Sequence, residues 1–215
     1  GRRANRVVAI EKDQRLIGVL KSTFQELPNI ETIESDVLKF NPYSIIHGPY
    51  KIVGNIPYYI TSNLLRKIFE DWPRPKSVVL MIQKEVAQRI LAKPPRMNLL
   101  ALSVQFYAKP EIIAYVSRGS FRPIPKVDSA IIRLKPRDDL RLTTYDQQLF
   151  FKILKAGFAG KRKQLASNLS KNFGIIKEET KKMLAGIGAN SDARAENLSL
   201  ELWIKLNEYL KTFLK

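Results

Sequence analysis

No cysteine and a single histidine occur among the 215 residues of this chain. The first absence rules out disulfides and thiolate metal sites and suits a reducing compartment, so a cytoplasmic protein is expected. With one imidazole, a histidine-based metal centre is not expected either; His47, beside Gly48 and Pro49, reads as a loop residue. No apolar run approaches the ~20 residues that span a bilayer as a helix, and no secretory signal is visible, so no membrane partner is expected. Negative charge is also scarce: 20 acidic residues face 37 Lys and Arg, which leaves a formal charge of +17. Solubility alone does not ask for so large an excess, and it points to a polyanionic partner or to steering toward one. Length and apolar content suffice for one large domain or two modest ones.

Among the residues present, Asn55-Ile56-Pro57-Tyr58 is the most informative segment. It follows the apolar run Lys51 to Gly54 and sets an amide, a rigid turn and an aromatic ring at one strand end. The exocyclic amine of adenine is a poor nucleophile, because its lone pair is delocalised into the ring. An enzyme that alkylates it must hold its hydrogens with acceptors while the lone pair turns toward an electrophile. The Asn55 side-chain oxygen and the Ile56 backbone carbonyl are suited to this. Pro57 fixes its own φ and removes a donor, and Tyr58 offers a flat face for a base. A strand followed by a proline turn and a core tyrosine is the plain alternative.

Three further segments belong to the same chemistry. Arg6 to Glu11 reads as a buried parallel strand ending in a carboxylate, and Glu11 there can accept from both ribose hydroxyls of a nucleoside cofactor. Thr32 to Leu38 reads as a second short strand, with Asp36 placed to accept from an adenine amine and Val37 supplying a backbone amide. Phe121 to Ala130 combines a leading aromatic, a double-proline loop and the apolar strand from Ala130 to Leu134.

Taken in order with Met81 to Arg89, these segments resemble the bacterial 16S ribosomal RNA adenine dimethyltransferases. The resemblance runs from about Arg6 to the C-terminus and includes Gly186-Ile187-Gly188 and the stretch Asp192 to Ser199. It implies an α/β fold, a Rossmann-like class I methyltransferase sheet, followed by a small all-α C-terminal domain. It also implies S-adenosylmethionine as cofactor, held by Glu11, Lys12, Asp36, Val37 and Asn55. Asn55, Ile56, Pro57, Tyr58 and Phe121 are implied as the catalytic set, with Tyr58 and Phe121 on the two faces of the target base. The substrate implied is two adjacent adenines in a hairpin loop near the 3′ end of 16S rRNA, in the small ribosomal subunit or its precursor, met by a monomer.

One family feature is missing. A first strand and a Gly-x-Gly-x-Gly turn normally precede the acidic-ended strand and let the cofactor's polar tail approach bare backbone. Gly1 is the only glycine before Arg6, so roughly 40 to 60 residues, one βα unit and an N-terminal arm, are expected to be lacking. Gly186-Ile187-Gly188 is no substitute, since it reads as a helix end and a turn. Two other functions therefore stay open: a non-catalytic rRNA-binding assembly factor, and 23S rRNA methylation of the erythromycin-resistance type, which shares the Asn-x-Pro-Tyr logic. Duplex DNA is disfavoured, because no sequence-reading element is apparent.

Strands at 6–10, 31–35, 51–54 and 77–82 alternate with helices at 13–26, 60–70 and 84–91, the pattern of a parallel α/β sheet. Asp13 is the expected N-cap of the first helix, and Thr61 or Ser62 that of the second. A helix at 99–107 precedes strands at 111–117 and 130–135, which are expected to form a hairpin around the Phe121 loop. From the segment Pro136 to Asp139 onward only helices are expected, at 145–157, 161–172, 177–185 and 199–213. This divides the chain into domains 1–137 and 138–215. Lys161, Arg162, Lys163 and Lys171 are the candidate RNA ligands, on a face shared with Lys152, Lys155, Lys181 and Lys182, with Asn168 and Asn172 able to reach phosphate or sugar. Phe150, Phe151, Phe158, Leu165, Trp203 and Tyr209 recur at helical spacing and are expected in the core.

Overall fold

A computed structural model describes residues 1–138 and 144–213, the side chains of residues 144 and 145 excepted. The described residues group into two compact units: Gly1–Tyr50 with Tyr59–Arg74, and Lys51–Tyr58 with Pro75–Lys215.

In the first unit, β1 (Val7–Glu11) and β2 (Ile30–Glu34) pair in parallel, with Val7 opposite Ile30 and Glu11 opposite Glu34. The crossover between them is α1 (Gln14–Thr23). Asp13 caps it as expected: its backbone is extended and its carboxylate accepts from the Arg15 N–H at 3.0 Å. Arg15 also hydrogen-bonds that carboxylate through its guanidinium, which with the capping bond lowers the Asp13 carboxyl to about 2. The helix stops three residues before the expected 26, where Phe24 closes it by donating its N–H to the Leu20 carbonyl. The second helix of this unit, α2 (Thr61–Glu70), has no side-chain cap. It grows directly out of a 3-10 turn at Tyr58–Ile60, so Ile60, and neither Thr61 nor Ser62, holds the cap position. Thr61 is only 3% exposed and lies with Leu64, Leu65 and Ile68 on the buried face.

The second unit carries a four-stranded sheet in the order β3-β4-β6-β5. Here β3 (Lys51–Asn55) runs parallel to β4 (Ser77–Gln83), and β6 (Ser129–Pro136) is antiparallel to both β4 and β5 (Ala108–Val116). Along β4 and β6 the period-2 pattern buries Val78, Leu80, Ile82, Ala130, Ile132 and Leu134. Strand β5 begins three residues before the expected 111 and takes in Pro110. A proline cannot donate to a ladder, and β5 tolerates one because it is the edge strand.

Two helices, α3 (Lys84–Ile90) and α4 (Leu99–Tyr107), lie between β4 and β5. Among the described residues only helices follow β6: α5 (Thr144–Gly157), α6 (Leu165–Phe173), α7 (Lys177–Gly186) and α8 (Leu200–Phe213), with a 3-10 turn at Ala195–Asn197. Asp139, at the expected change of pattern, lies outside the described residues. One apolar cluster joins Leu102 and Phe106 of α4 to Phe150, Leu154, Leu165, Trp203 and Leu206. Phe106 stacks on Phe150 with centroids 4.5 Å apart, and Phe158 on Trp203 at 5.8 Å. Tyr209 departs from expectation and is 45% exposed. The buried stripe of α8 runs through Trp203, Leu206, Asn207 and Leu210, and one residue along a helix turns about 100° away from it. Gly186-Ile187-Gly188 is the helix end the sequence suggests: α7 stops at Gly186, and Gly188 adopts φ +84°.

Candidate active site

Within the first unit the acidic strand ends are already engaged with backbone. Glu11 turns one carboxylate oxygen, Oε1, onto the N–H groups of Lys12 at 2.7 Å and Asp13 at 2.8 Å. Its second oxygen has no partner among the described residues and is available to hydroxyl donors. Asp36 lies two residues beyond β2. Its Oδ1 accepts from the Leu38 N–H at 3.0 Å and its Oδ2 from the Lys12 ammonium at 2.9 Å.

The hydrogen bond from Lys12 is the main reason that the Asp36 carboxyl lies below its usual range, and the Lys12 ammonium is raised in return. A carboxyl lowered in the folded state stabilises it above the ordinary carboxylate range and loses that contribution as pH falls through the lowered value. Lys12 is 74% exposed, so the pair holds geometry more than it holds the fold. The sequence singles out both residues without revealing that they pair, since 24 positions separate them. The N–H of Val37 has no acceptor among the described residues. The unit therefore offers carboxylate acceptors and a free amide donor at Val37, which are the needs of an adenosine group.

Within the second unit, Asn55 ends β3 opposite Met81 of β4. Gly54 before it sits in close packing, where a Cβ would come within 3.2 Å of the side chains of Ile56 and Leu80 and push them aside by a few tenths of an ångström. The Asn55 side chain is exposed and makes no hydrogen bond among the described residues. Tyr58 is half-buried, and its phenol lies 2.7 Å from the hydroxyl of Ser129. Ser129 is fully buried at the start of β6, opposite Gln83. The ring of Tyr58 is thus anchored at its far end by the strand into which the Phe121 loop leads.

That loop is tied at its base by Asp128. Its carboxylate accepts from the Arg118 N–H at 3.1 Å, and its carbonyl accepts from the Lys84 N–H at 3.0 Å. Phe121 is half-buried and pairs with no other aromatic ring among the described residues. The sequence does not reveal Ser129 as the partner of Tyr58; its only signal is membership of the double-proline segment. Ser129→Ala is expected to lower the methyl-transfer rate about tenfold, by releasing the Tyr58 ring. Single-turnover kinetics check this, and an unchanged rate would show that the hydroxyl does not orient the ring.

The candidate RNA ligands are placed differently from the sequence expectation. Lys161, Arg162 and Lys163 do not begin a helix at 161; they lie exposed on the turn before α6. That turn is closed by the Lys163 N–H donating to the Gly160 carbonyl at 2.9 Å. Lys171 is exposed in the last turn of α6. Asn168 is not a phosphate ligand: it is 5% exposed and donates its amide to the carbonyls of Gly157 at 2.6 Å and Gly160 at 3.1 Å. The amide of Asn172 donates to the Asn168 carbonyl at 2.8 Å. Lys181 is part-buried and bound to Asp192 at 3.1 Å, the hydrogen bond that chiefly raises its ammonium. No cluster of three metal-ligating side chains occurs among the described residues, and no helix there is long and apolar enough to cross a membrane.

The profile of the family described as ribosomal RNA adenine dimethylase matches residues 1–212. The ribosomal RNA small subunit methyltransferase A of Dehalococcoides mccartyi strain BAV1 is 42% identical over 207 residues, which are 95% of this chain and 71% of that protein. The protein of the same name from Listeria monocytogenes serotype 4b is 37% identical over 224 residues, 99% of this chain and 76% of that one. Among solved structures, a dimethyladenosine transferase from Plasmodium falciparum superposes with a TM-score of 0.80 at 28% identity, covering 97% of this chain and 83% of the other. A 23S rRNA methyltransferase, ErmE, gives 0.79 at 28% identity, with 98% and 84% covered. Fold alone does not separate these two enzymes, but both are methyltransferases with the sheet and helices found here. A profile match over nearly the whole length, with 42% identity to a curated relative, shows that the chain belongs to the ribosomal RNA adenine dimethylase family.

Proposed function

We propose that this protein is an S-adenosylmethionine-dependent rRNA adenine dimethyltransferase of small-subunit assembly. It places two methyl groups on the exocyclic amine of each of two adjacent adenines in the 3′-terminal hairpin loop of 16S rRNA. The observation that carries this reading is the free Asn55 amide at the end of β3, followed by a tyrosine ring fixed through Ser129. Relatives named for small-subunit rRNA methylation, at 36 to 43% identity, support it over methylation of 23S rRNA. The non-catalytic reading is not favoured, because the carboxylates and amide that would bind the cofactor's adenosine half, and the acceptors for the target amine, are present.

S-adenosylmethionine supplies an electrophilic sulfonium methyl when bound. Glu11 Oε2 would accept from the ribose hydroxyls, Asp36 from the cofactor's adenine amine, and the Val37 N–H would donate to a ring nitrogen. Lys12 keeps Asp36 ionised, and therefore an acceptor, as pH falls. The Asn55 oxygen and the Ile56 carbonyl would take the two hydrogens of the target amine, so that its lone pair turns out of conjugation and toward the methyl. Pro57 removes a competing donor from the same turn. Tyr58 and Phe121 would enclose the base, which must leave its stack to enter; an unpaired loop makes that less costly. Holding nitrogen, carbon and sulfur in line supplies most of the acceleration. The proton displaced from nitrogen passes to water, so no histidine or lysine base is required.

In this reading residues 1–137 perform catalysis and 138–215 bind RNA backbone through Lys161, Arg162, Lys163 and Lys171. The protein acts in the cytoplasm as a monomer without a metal ion. Calorimetric titration with S-adenosylmethionine, using protein expressed from its full coding sequence, tests the cofactor half. Glu11→Ala and Asp36→Ala should each weaken binding tenfold or more, as about 1.5–3 kcal/mol goes with a hydrogen bond to a charged group. Unchanged affinity in both variants would remove these carboxylates from the cofactor site.

A further inference from the structure

We propose that Asn168 is a positioning residue for RNA binding, which holds the turn carrying Lys161, Arg162 and Lys163 in a preformed shape. The inference rests on the reading of those three cations as RNA-backbone ligands. They lie in the seven-residue connection between Gly157, the end of α5, and Leu165, the start of α6. All three are exposed, and none has an acidic partner among the described residues. Three like charges on so short a connection repel one another and favour an open ensemble, which would have to be ordered again at each encounter with RNA.

The turn is instead pinned from below, and Asn168 makes the central link. Its buried amide nitrogen donates at once to the carbonyl of Gly157 at 2.6 Å and to that of Gly160 at 3.1 Å. The Gly157 carbonyl belongs to the last turn of α5, where no intrahelical donor is available. One side chain therefore both caps α5 and fixes the residue immediately before the three cations. The Gly160 carbonyl also accepts from the Lys163 N–H at 2.9 Å, so two donors converge on one oxygen. Further along, the Gln164 amide donates to Asp192 at 3.1 Å and the Leu165 N–H to the Ala193 carbonyl at 2.8 Å.

Gly160 makes room for the Asn168 side chain, and Gly157 for the Trp203 ring beside it. A Cβ on Gly160 would lie 2.5 Å from Asn168 Oδ1 and 3.2 Å from Lys163 Cδ. A Cβ on Gly157 would lie 2.4 Å from the Trp203 ring. Asn168 thus occupies a slot that only glycine leaves open, and the stem of Lys163 lies over its rim. Binding to such a turn spends less of the interaction on ordering, so the affinity of the three cations depends on a residue that does not touch RNA.

Steady-state methylation of unmodified small subunits by the full-length protein tests this, with each variant first shown to melt cooperatively. Asn168→Ala should raise KM for the subunit about tenfold while kcat and S-adenosylmethionine affinity stay unchanged. In a K161A/R162A/K163A background the same substitution should add nothing, because the charges it positions are gone. Gly160→Ala, which keeps Asn168 but displaces its side chain, should reproduce the KM effect if Asn168→Ala does not fold. An unchanged KM in a folded Asn168→Ala or Gly160→Ala variant would overturn the proposal, as would a loss that adds in full to the triple neutralisation. If the triple neutralisation itself leaves KM unchanged, the turn is not an RNA ligand and both readings fall together.

Discussion

Asn55→Ala is expected to lower methyl transfer by about two to three orders of magnitude, the usual cost of removing one preorganised group that acts on developing charge. RNA affinity should change less than about twofold, because one exposed amide contributes little to an interface dominated by phosphate charge. The physical reason lies in the target amine. Its nitrogen becomes nucleophilic only when its two hydrogens are held away from the ring plane, and the structure offers two acceptors at this strand end, the Asn55 oxygen and the Ile56 carbonyl. Removing the first leaves one hydrogen free to keep the nitrogen conjugated. Asn55→Asp is the informative companion: it retains the acceptor but brings a formal charge to the amine, so partial activity is expected. Single-turnover assays with labelled cofactor read both variants. Normal turnover in Asn55→Ala would remove the acceptor role and with it the proposed mechanism.

Neutralising Lys161, Arg162 and Lys163 together should have the largest effect on binding. Each cation that no longer neutralises a phosphate reduces the dependence of log affinity on log salt by about 0.7 to 0.9, so the slope should fall by roughly 2 to 3. At moderate salt the affinity for rRNA should drop by about two orders of magnitude, while cofactor affinity stays the same. Three exposed cations without acidic partners among the described residues are free to pair with phosphates; Lys181, held by Asp192 at 3.1 Å, is already committed within the protein. Fluorescence anisotropy across a salt series measures the slope directly. An unaltered slope would place the RNA elsewhere on the protein.

Much of the two sheets was legible because short apolar runs with acidic or amide ends mark strands, as Val7 to Glu11 and Ile52 to Asn55 do; the expected burial of Val7 to Glu11 is not found, since all five residues are only half-buried, and Val53 of β3 is 81% exposed. Asp13 was legible as a cap for a local reason, since its partner is two residues away. Thr61 was misread because the preceding 3-10 turn, which no single residue signals, takes over the start of α2. Asn168 was misread for a tertiary reason. A polar residue near lysines suggests a surface role, yet the room left by Gly160 and the carbonyls of Gly157 and Gly160 draw its side chain inward. Tyr209 shows the limit of spacing at the edge of a buried stripe, where one position around the helix decides between core and solvent. The Tyr58–Ser129 hydrogen bond spans 71 residues and could not be read from either segment alone. The three-residue turn of cations was visible as charge but not as shape, because its shape is made by hydrogen bonds from the following helix.

Mass spectrometry of nuclease-digested rRNA tests the central claim most directly. Small and large ribosomal subunits lacking adenine methylation would be incubated separately with methyl-labelled S-adenosylmethionine and protein expressed from the full coding sequence. Labelled dimethyladenosine in the 3′-terminal hairpin fragment of 16S rRNA, absent with Asn55→Ala, is the predicted result. Label in 23S rRNA alone, or none in either subunit, would contradict it.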